Sequence, residues 1–99
     1  MTSDNIDVPY LVLISIIEVN EVLGQEKTET YLNEAAGEIT ERLKQGRSTR
    51  WPRHEIQAIA AARIARATRD ELRVLVKALM ARRPEIFQYW RATALSVAA

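Results

Sequence analysis

Five basic side chains surround one tryptophan in the middle of the chain: residues 46–55 read GRSTRWPRHE, and Arg42 and Lys44 precede them. Closely spaced guanidinium and ammonium groups bind phosphate oxygens, whereas a large indole ring is a typical anchor in a hydrophobic core. The combination therefore predicts a basic surface element that Trp51 attaches to the core. The chemistry that it favours is binding to the backbone of a nucleic acid.

The charge is divided unequally between the two halves of the chain. Residues 1–41 hold one basic and nine acidic residues, a net charge of −8, whereas residues 42–99 hold thirteen basic and four acidic residues, a net charge of +9. The division predicts an anionic partner for the second half, and we expect that partner to be double-stranded DNA. It also allows the acidic half of one copy to attract the basic half of the next.

Composition favours one small globular domain in the cytoplasm. The 99 residues are 47% hydrophobic and 27% charged, which suits a single soluble domain. There is no cysteine and one histidine, His54, which we expect to be exposed in the first turn of a helix. We therefore expect no metal and no other cofactor. The longest apolar run is too short to span a membrane, and no recognisable catalytic motif is present, so we do not expect an enzyme.

Two short helices are predicted ahead of the basic stretch. Ser15 and Glu18 have the spacing of a capping box, which predicts a helix at about 16–23 with Gly24 as its C-cap. A second helix is predicted at about 28–36. Two short helices joined by a tight turn have the outline of a helix-turn-helix.

A β-hairpin and two longer helices are predicted next. Residues 39–45 and 47–51 alternate apolar and polar side chains around Gly46, which predicts two strands joined by a tight turn. Helical periodicity then predicts amphipathic helices at about 52–66 and 69–82.

The two ends of the chain are assigned separately from this domain. Residues 1–10 are predicted to be a flexible arm, residues 11–83 the folded domain, and residues 84–99 a tail that could form a last helix. The tail is unusually apolar and is a candidate segment for self-association. Its candidate contact residues are Ile86, Phe87, Tyr89 and Trp90.

The order of these elements resembles the AlpA family of small phage and mobile-element regulators, which belongs with the excisionase-like and MerR-like winged helix-turn-helix proteins. The resemblance rests on LISIIEVNEVLG (13–24), on TYLNEAAG (30–37) and above all on GRSTRWPRHEIQAIAAARIARATRDELRVLVKALMARR (46–83). It implies a winged helix-turn-helix, a mostly α fold with a small β-hairpin wing and two C-terminal amphipathic helices. The apolar tail beyond Pro84 lies outside the resemblance. It also implies that the second helix enters the major groove of DNA while the hairpin lies on the backbone.

Candidate DNA contacts follow from this arrangement. On or beside the second helix they are Lys27, Thr28, Thr30, Tyr31 and Asn33. For Tyr31, a position in the core is expected more than a contact with DNA. On or beside the hairpin they are Arg42, Lys44, Arg47, Arg50 and Arg53, with Arg42 and Lys44 expected on one face of a strand. Because Glu26, Glu29 and Glu34 would repel phosphates, backbone affinity is expected mostly from the wing and the third helix.

The resemblance implies one of two roles. Family members act as transcription regulators or as recombination directionality factors that promote excision of an integrated element. We expect an excisionase that associates head-to-tail with further copies on DNA, with an integrase as a further candidate partner. A dedicated transcription regulator is the alternative, and a helical protein–protein adaptor is a second one.

Overall fold

A computed structural model describes residues 11–98 as a three-stranded sheet and five helices. The strands are β1 (Leu13–Ile14), β2 (Leu43–Gln45) and β3 (Ser48–Pro52). The helices are α1 (Ile16–Leu23), α2 (Lys27–Ala35), α3 (Arg53–Ile64), α4 (Arg69–Ala81) and α5 (Arg83–Ala98). The predicted arm at residues 1–10 lies outside the described residues. The chain is mostly helical, as the sequence predicts, with a small antiparallel sheet.

The sheet has β3 at its centre, paired with both β1 and β2 in antiparallel fashion. The predicted hairpin is present, but its first strand is shorter than the predicted 39–45. The indole Nε1 of Trp51 donates a hydrogen bond to the main-chain carbonyl of Thr40 at 2.9 Å. That carbonyl therefore bonds to a side chain instead of a neighbouring strand, and Ile39 and Thr40 are buried outside the sheet.

The helix boundaries follow the capping signals closely. Helix α1 has the predicted bounds, and both bonds of the Ser15–Glu18 capping box are present, at 3.3 and 3.5 Å. Gly24 ends this helix with a φ of 66°, which glycine adopts without a steric penalty. A second capping box, between Thr68 and Glu71, starts α4.

The hydrophobic core is centred on Trp51, which is 0% exposed. This confirms its predicted role as a core anchor. The other buried apolar residues come from β1, α1, α3, α4 and the segment before β2: Ile14, Val19, Ile39, Ile56, Ile59, Leu72 and Val76. Strand β3 thus attaches one end of the hairpin to the centre of the protein.

Helix α5 is fixed to this core through its first residue. Arg83 donates to both carboxylate oxygens of Glu55, at 2.8 and 2.6 Å, and to the Glu41 carbonyl at 2.8 Å. The Glu55 side chain is 0% exposed. The hydrogen bond with Glu55 raises the pKa of Arg83 above its ordinary value, so the guanidinium stays charged. Among the helices of residues 11–98, none has the length and hydrophobicity that crossing a bilayer requires.

Candidate nucleic-acid interface

The β2–β3 hairpin turns through Gly46 and Arg47. Gly46 has a φ of 61°, as a two-residue hairpin loop of type II′ requires at its first central position. Arg47 is the second residue of this two-residue turn, and its side chain is exposed. The turn therefore presents one guanidinium at the tip of the hairpin.

The register of the hairpin places basic side chains on both of its faces. Lys44 pairs with Thr49, and Arg50 pairs with Leu43. Directly paired residues share a face and successive residues alternate, so Lys44 and Arg50 lie on opposite faces. The expectation that Arg42 and Lys44 share one face of a strand is wrong, because β2 begins only at Leu43.

Four basic residues on or beside the hairpin form no ion pair within residues 11–98. We call them the hairpin cations: Lys44, Arg47, Arg50 and Arg53. Lys44 and Arg47 are exposed, while Arg50 and Arg53 are half-buried. Their charge is balanced by no carboxylate of the described chain, so it is available to an anionic ligand.

Arg42 differs from the hairpin cations because it is bound to α2. Its guanidinium carbon lies 4.8 Å from the centre of the Tyr31 ring, within the range of a cation–π contact. Its Nε lies 3.6 Å from a carboxylate oxygen of Glu34, and its main-chain N–H donates to the other oxygen at 2.8 Å. Arg42 therefore neutralises one of the acids expected to repel phosphates.

The inner side of α2 is held by a polar network. Thr30 is 0% exposed, and its hydroxyl donates to Asn20 Oδ1 at 2.6 Å and accepts from Gln25 Nε2 at 2.9 Å. Arg63 of α3 donates to Gln25 Oε1 at 2.8 Å and to Asn33 Oδ1 at 3.3 Å. The assignment of Thr30 as a DNA contact is thus corrected: its side chain points inward and already has its partners. Asn33 is half-buried in the same network.

The outward side of α2 has a different character. Lys27 and Thr28 are exposed, as a DNA contact requires, and Tyr31 is half-buried with its ring centre 6.3 Å from that of Trp51. Leu32 is 64% exposed, and Ala35 is exposed beside it. The candidate residues did not include these two apolar side chains. Their spacing from Thr28, four and seven positions, is the signal that could have found them.

His54 is half-buried instead of exposed. The first turn of α3 is held against the chain before β1, where the Arg53 N–H donates to the Val12 carbonyl at 2.6 Å. The buried Nδ1 of His54 has no hydrogen-bond partner in the described part of the chain. No group of three His, Asp or Glu side chains within residues 11–98 could hold a metal ion.

Helix α5 carries the four candidate self-association residues. Ile86 is half-buried, and Phe87, Tyr89 and Trp90 are exposed. The rings of Phe87 and Trp90, which we call the aromatic pair, are stacked with their centres 6.3 Å apart. Each of the two is 55% exposed, so the pair offers a large apolar surface to a partner.

Comparisons of this chain with protein-family models, with curated proteins and with solved structures found no match.

Proposed function

We propose that the protein binds double-stranded DNA as a winged helix-turn-helix protein. In this proposal α1 and α2 are the helix-turn-helix, α2 enters the major groove, and the β2–β3 hairpin is the wing. The observation that carries the proposal is the set of hairpin cations, which have no carboxylate partner in residues 11–98. A polyanion can neutralise all of them at once, and phosphate contacts supply much of the affinity of DNA-binding proteins.

The distribution of the hairpin cations suits a wing better than a flat patch. Lys44 and Arg50 lie on opposite faces and Arg47 lies at the tip. A hairpin with this arrangement can lie along a groove and meet the phosphates of both strands that border it. Because Trp51 holds β3 in the core, the position of these charges relative to α2 is fixed before DNA arrives.

Salt dependence of binding tests this proposal. Fluorescence anisotropy of labelled duplexes would be measured over a range of salt concentrations, with the region upstream of the protein's own coding sequence and with random duplex of equal length. Four phosphate contacts should give a slope of log K against log salt of about −3.6. No binding to either duplex at low salt would reject DNA as the partner and leave the protein–protein adaptor as the better interpretation.

Within DNA-binding proteins, we propose the role of an excisionase that fills adjacent sites cooperatively. The aromatic pair on α5 lies near Arg91, which is exposed. On α1 and the turn after it, an open groove of about 400 Å³ is lined by Ile17, Asn20, Glu21, Gly24, Gln25 and Glu26. A basic aromatic helix of one copy complements this acidic groove of the next, and such a head-to-tail contact extends as a row. An integrase bound nearby is the further partner that this role implies.

Footprinting over a long natural site tests cooperative filling. On DNA a weak contact between copies is sufficient for cooperative filling, because DNA raises the effective concentration of neighbouring copies. The double variant Phe87→Ser with Trp90→Ser removes this contact, so it should fill subsites independently. Its affinity for a single subsite should stay near that of the parent. Independent filling by the parent protein would reject the row and favour a dedicated transcription regulator that binds single operators.

A further inference from the structure

The outer face of α2 formed by Thr28, Leu32 and Ala35 has no side-chain amide, guanidinium or carboxylate group. From its composition and geometry we infer that α2 selects DNA sites chiefly through apolar contacts with the C5-methyl groups of thymine. This inference rests on the proposed function, because it requires α2 to lie in the major groove. It assigns to Thr28, Leu32 and Ala35 the role of specificity-determining residues.

These three residues share one face of the helix. Residues three and four positions apart lie above one another on an α-helix, and 28, 32 and 35 have this spacing. All three are exposed, with Leu32 at 64%. The opposite side of α2 is the buried one, where Thr30 enters the polar network. The face is therefore directed away from the protein, where a groove of DNA would lie.

The polar side chains that usually read bases are missing from this face. Arginine reads guanine and asparagine or glutamine reads adenine through paired hydrogen bonds. Helix α2 contains no arginine and no glutamine, and Glu29, whose carboxylate could accept from cytosine, lies about 100° around the helix from Thr28. Its one asparagine, Asn33, accepts from Arg63 and Gln25 and donates to Glu38 on the inner side. Lys27 lies at the start of the helix, from which one flexible ammonium can reach a phosphate.

What remains on the face matches a single feature of the major groove. The C5-methyl of thymine is the apolar group that an unmodified base pair presents there, and alanine and threonine methyl groups are known to contact it. Leu32 adds a branched apolar end at the middle of the face. Contact with methyl groups would bury a side chain that otherwise stays in water, which is favourable in proportion to the area removed.

The polar network fixes the rotation of α2 about its axis, so that this face stays directed away from the protein. Thr30 and Asn33 hold α2 from within by directional hydrogen bonds, so rotation of the helix about its axis would break them. Arg42 also forms an ion pair with Glu34 and a cation–π contact with Tyr31, in the C-terminal half of α2. The orientation of Leu32 is therefore set by the protein before it meets DNA, as specificity requires.

Replacing thymine by deoxyuridine removes this methyl group and leaves base pairing unchanged, so it tests the inference directly. Bound duplexes would be selected from a random library by the parent protein. The selected sites would then be resynthesised with deoxyuridine at one thymine at a time, and affinities measured by anisotropy. We expect about fourfold weaker binding for each contacted methyl removed, as for one carbon withdrawn from an apolar contact, and no change at thymines outside the α2 contact.

Two variants separate α2 from the rest of the surface. Leu32→Ala should abolish the deoxyuridine effect at the thymine it contacts. Val74→Ala on α4, where Val74 is 68% exposed, is the matched control and should retain it. Equal binding of thymine and deoxyuridine duplexes by the parent protein would overturn this inference alone. Absence of binding to any thymine duplex would overturn the proposed function together with it.

Discussion

Two groups of basic residues in this protein differ in what they contact. Four arginines of α3, α4 and α5 bond to side chains or carbonyls within the fold, and we call them the internal arginines for these partners: Arg63, Arg69, Arg73 and Arg83. The hairpin cations have no carboxylate partner within residues 11–98, and Arg50 donates only to the carbonyl of its neighbour Thr49, at 2.9 Å. Both groups come from the same basic half of the sequence.

The comparison shows that the excess of +9 in residues 42–99 is not one uniform surface charge. Glu38, from the acidic half, is only 5% exposed in its side chain and lies within 3.4 Å of Arg69 and 3.3 Å of Arg73. Opposite charges of the two halves therefore pair with each other, a buried carboxylate with two more exposed guanidiniums, and hold α4 against the segment after α2. Part of the unbalanced charge lies on the hairpin, where a phosphate backbone can reach it, and the rest lies at exposed positions of the helices and the turns that join them: Arg66, Lys77, Arg82 and Arg91.

The largest effect is expected from an internal arginine, in the variant Arg83→Met. It leaves the Glu55 carboxylate buried without its charged partner, which costs about 3–5 kcal/mol of folding free energy. Urea unfolding followed by circular dichroism measures this loss. Because replacement of both charges avoids an unpaired one, the double variant Arg83→Met with Glu55→Leu should recover much of the stability. A single variant as stable as the parent would show that the pair is dispensable.

An intermediate effect is expected from the hairpin cations, and on binding instead of stability. Arg47→Ala with Arg50→Ala should flatten the salt slope by about 1.8 and weaken DNA binding tens of fold at about 0.1 M salt. The free energy of unfolding should change by less than about 0.5 kcal/mol. Lys77→Ala with Arg82→Ala removes equal charge from exposed positions and is the control. If both double variants weaken binding equally, net charge and not the hairpin determines affinity.

The smallest effect is expected from Arg63→Met. Loss of the hydrogen bonds to Gln25 and Asn33 should lower the free energy of unfolding by about 1–2 kcal/mol. The salt slope of DNA binding should stay as in the parent, because this guanidinium is engaged within the protein. Anisotropy over a salt range, at a temperature where the variant is folded, measures it. A slope reduced by about 0.9 would move Arg63 into the group that contacts phosphate.

Local chemistry explains what the sequence could predict. The bounds of α1 follow from Ser15, Glu18 and Gly24, whose capping interactions span a few residues. The hairpin turn follows from Gly46 in the same way. The predicted helix near 52–66 begins at Arg53 because Pro52 is still paired in β3.

Long-range contacts explain what it could not. Glu55 and Arg83 are 28 residues apart, and neither has a local feature that marks it as a partner. Thr30 reads as a polar surface residue, and its burial depends on Asn20 and Gln25 being placed opposite it. For the candidate interface, the sequence located the cations. Pairing in the folded chain decides which of them keep an unbalanced charge.

The attachment of α5 through Arg83 has a mechanical consequence. The helix is 16 residues long, or about 24 Å at about 1.5 Å per residue. The contacts of Arg83 with Glu41 and Glu55, close to the base of the hairpin, are the pivot about which this helix can tilt. A tilt of about 10° at this point displaces the far end of the helix by about 4 Å. A small change in the contacts of Arg83 is therefore enlarged at the free end of α5.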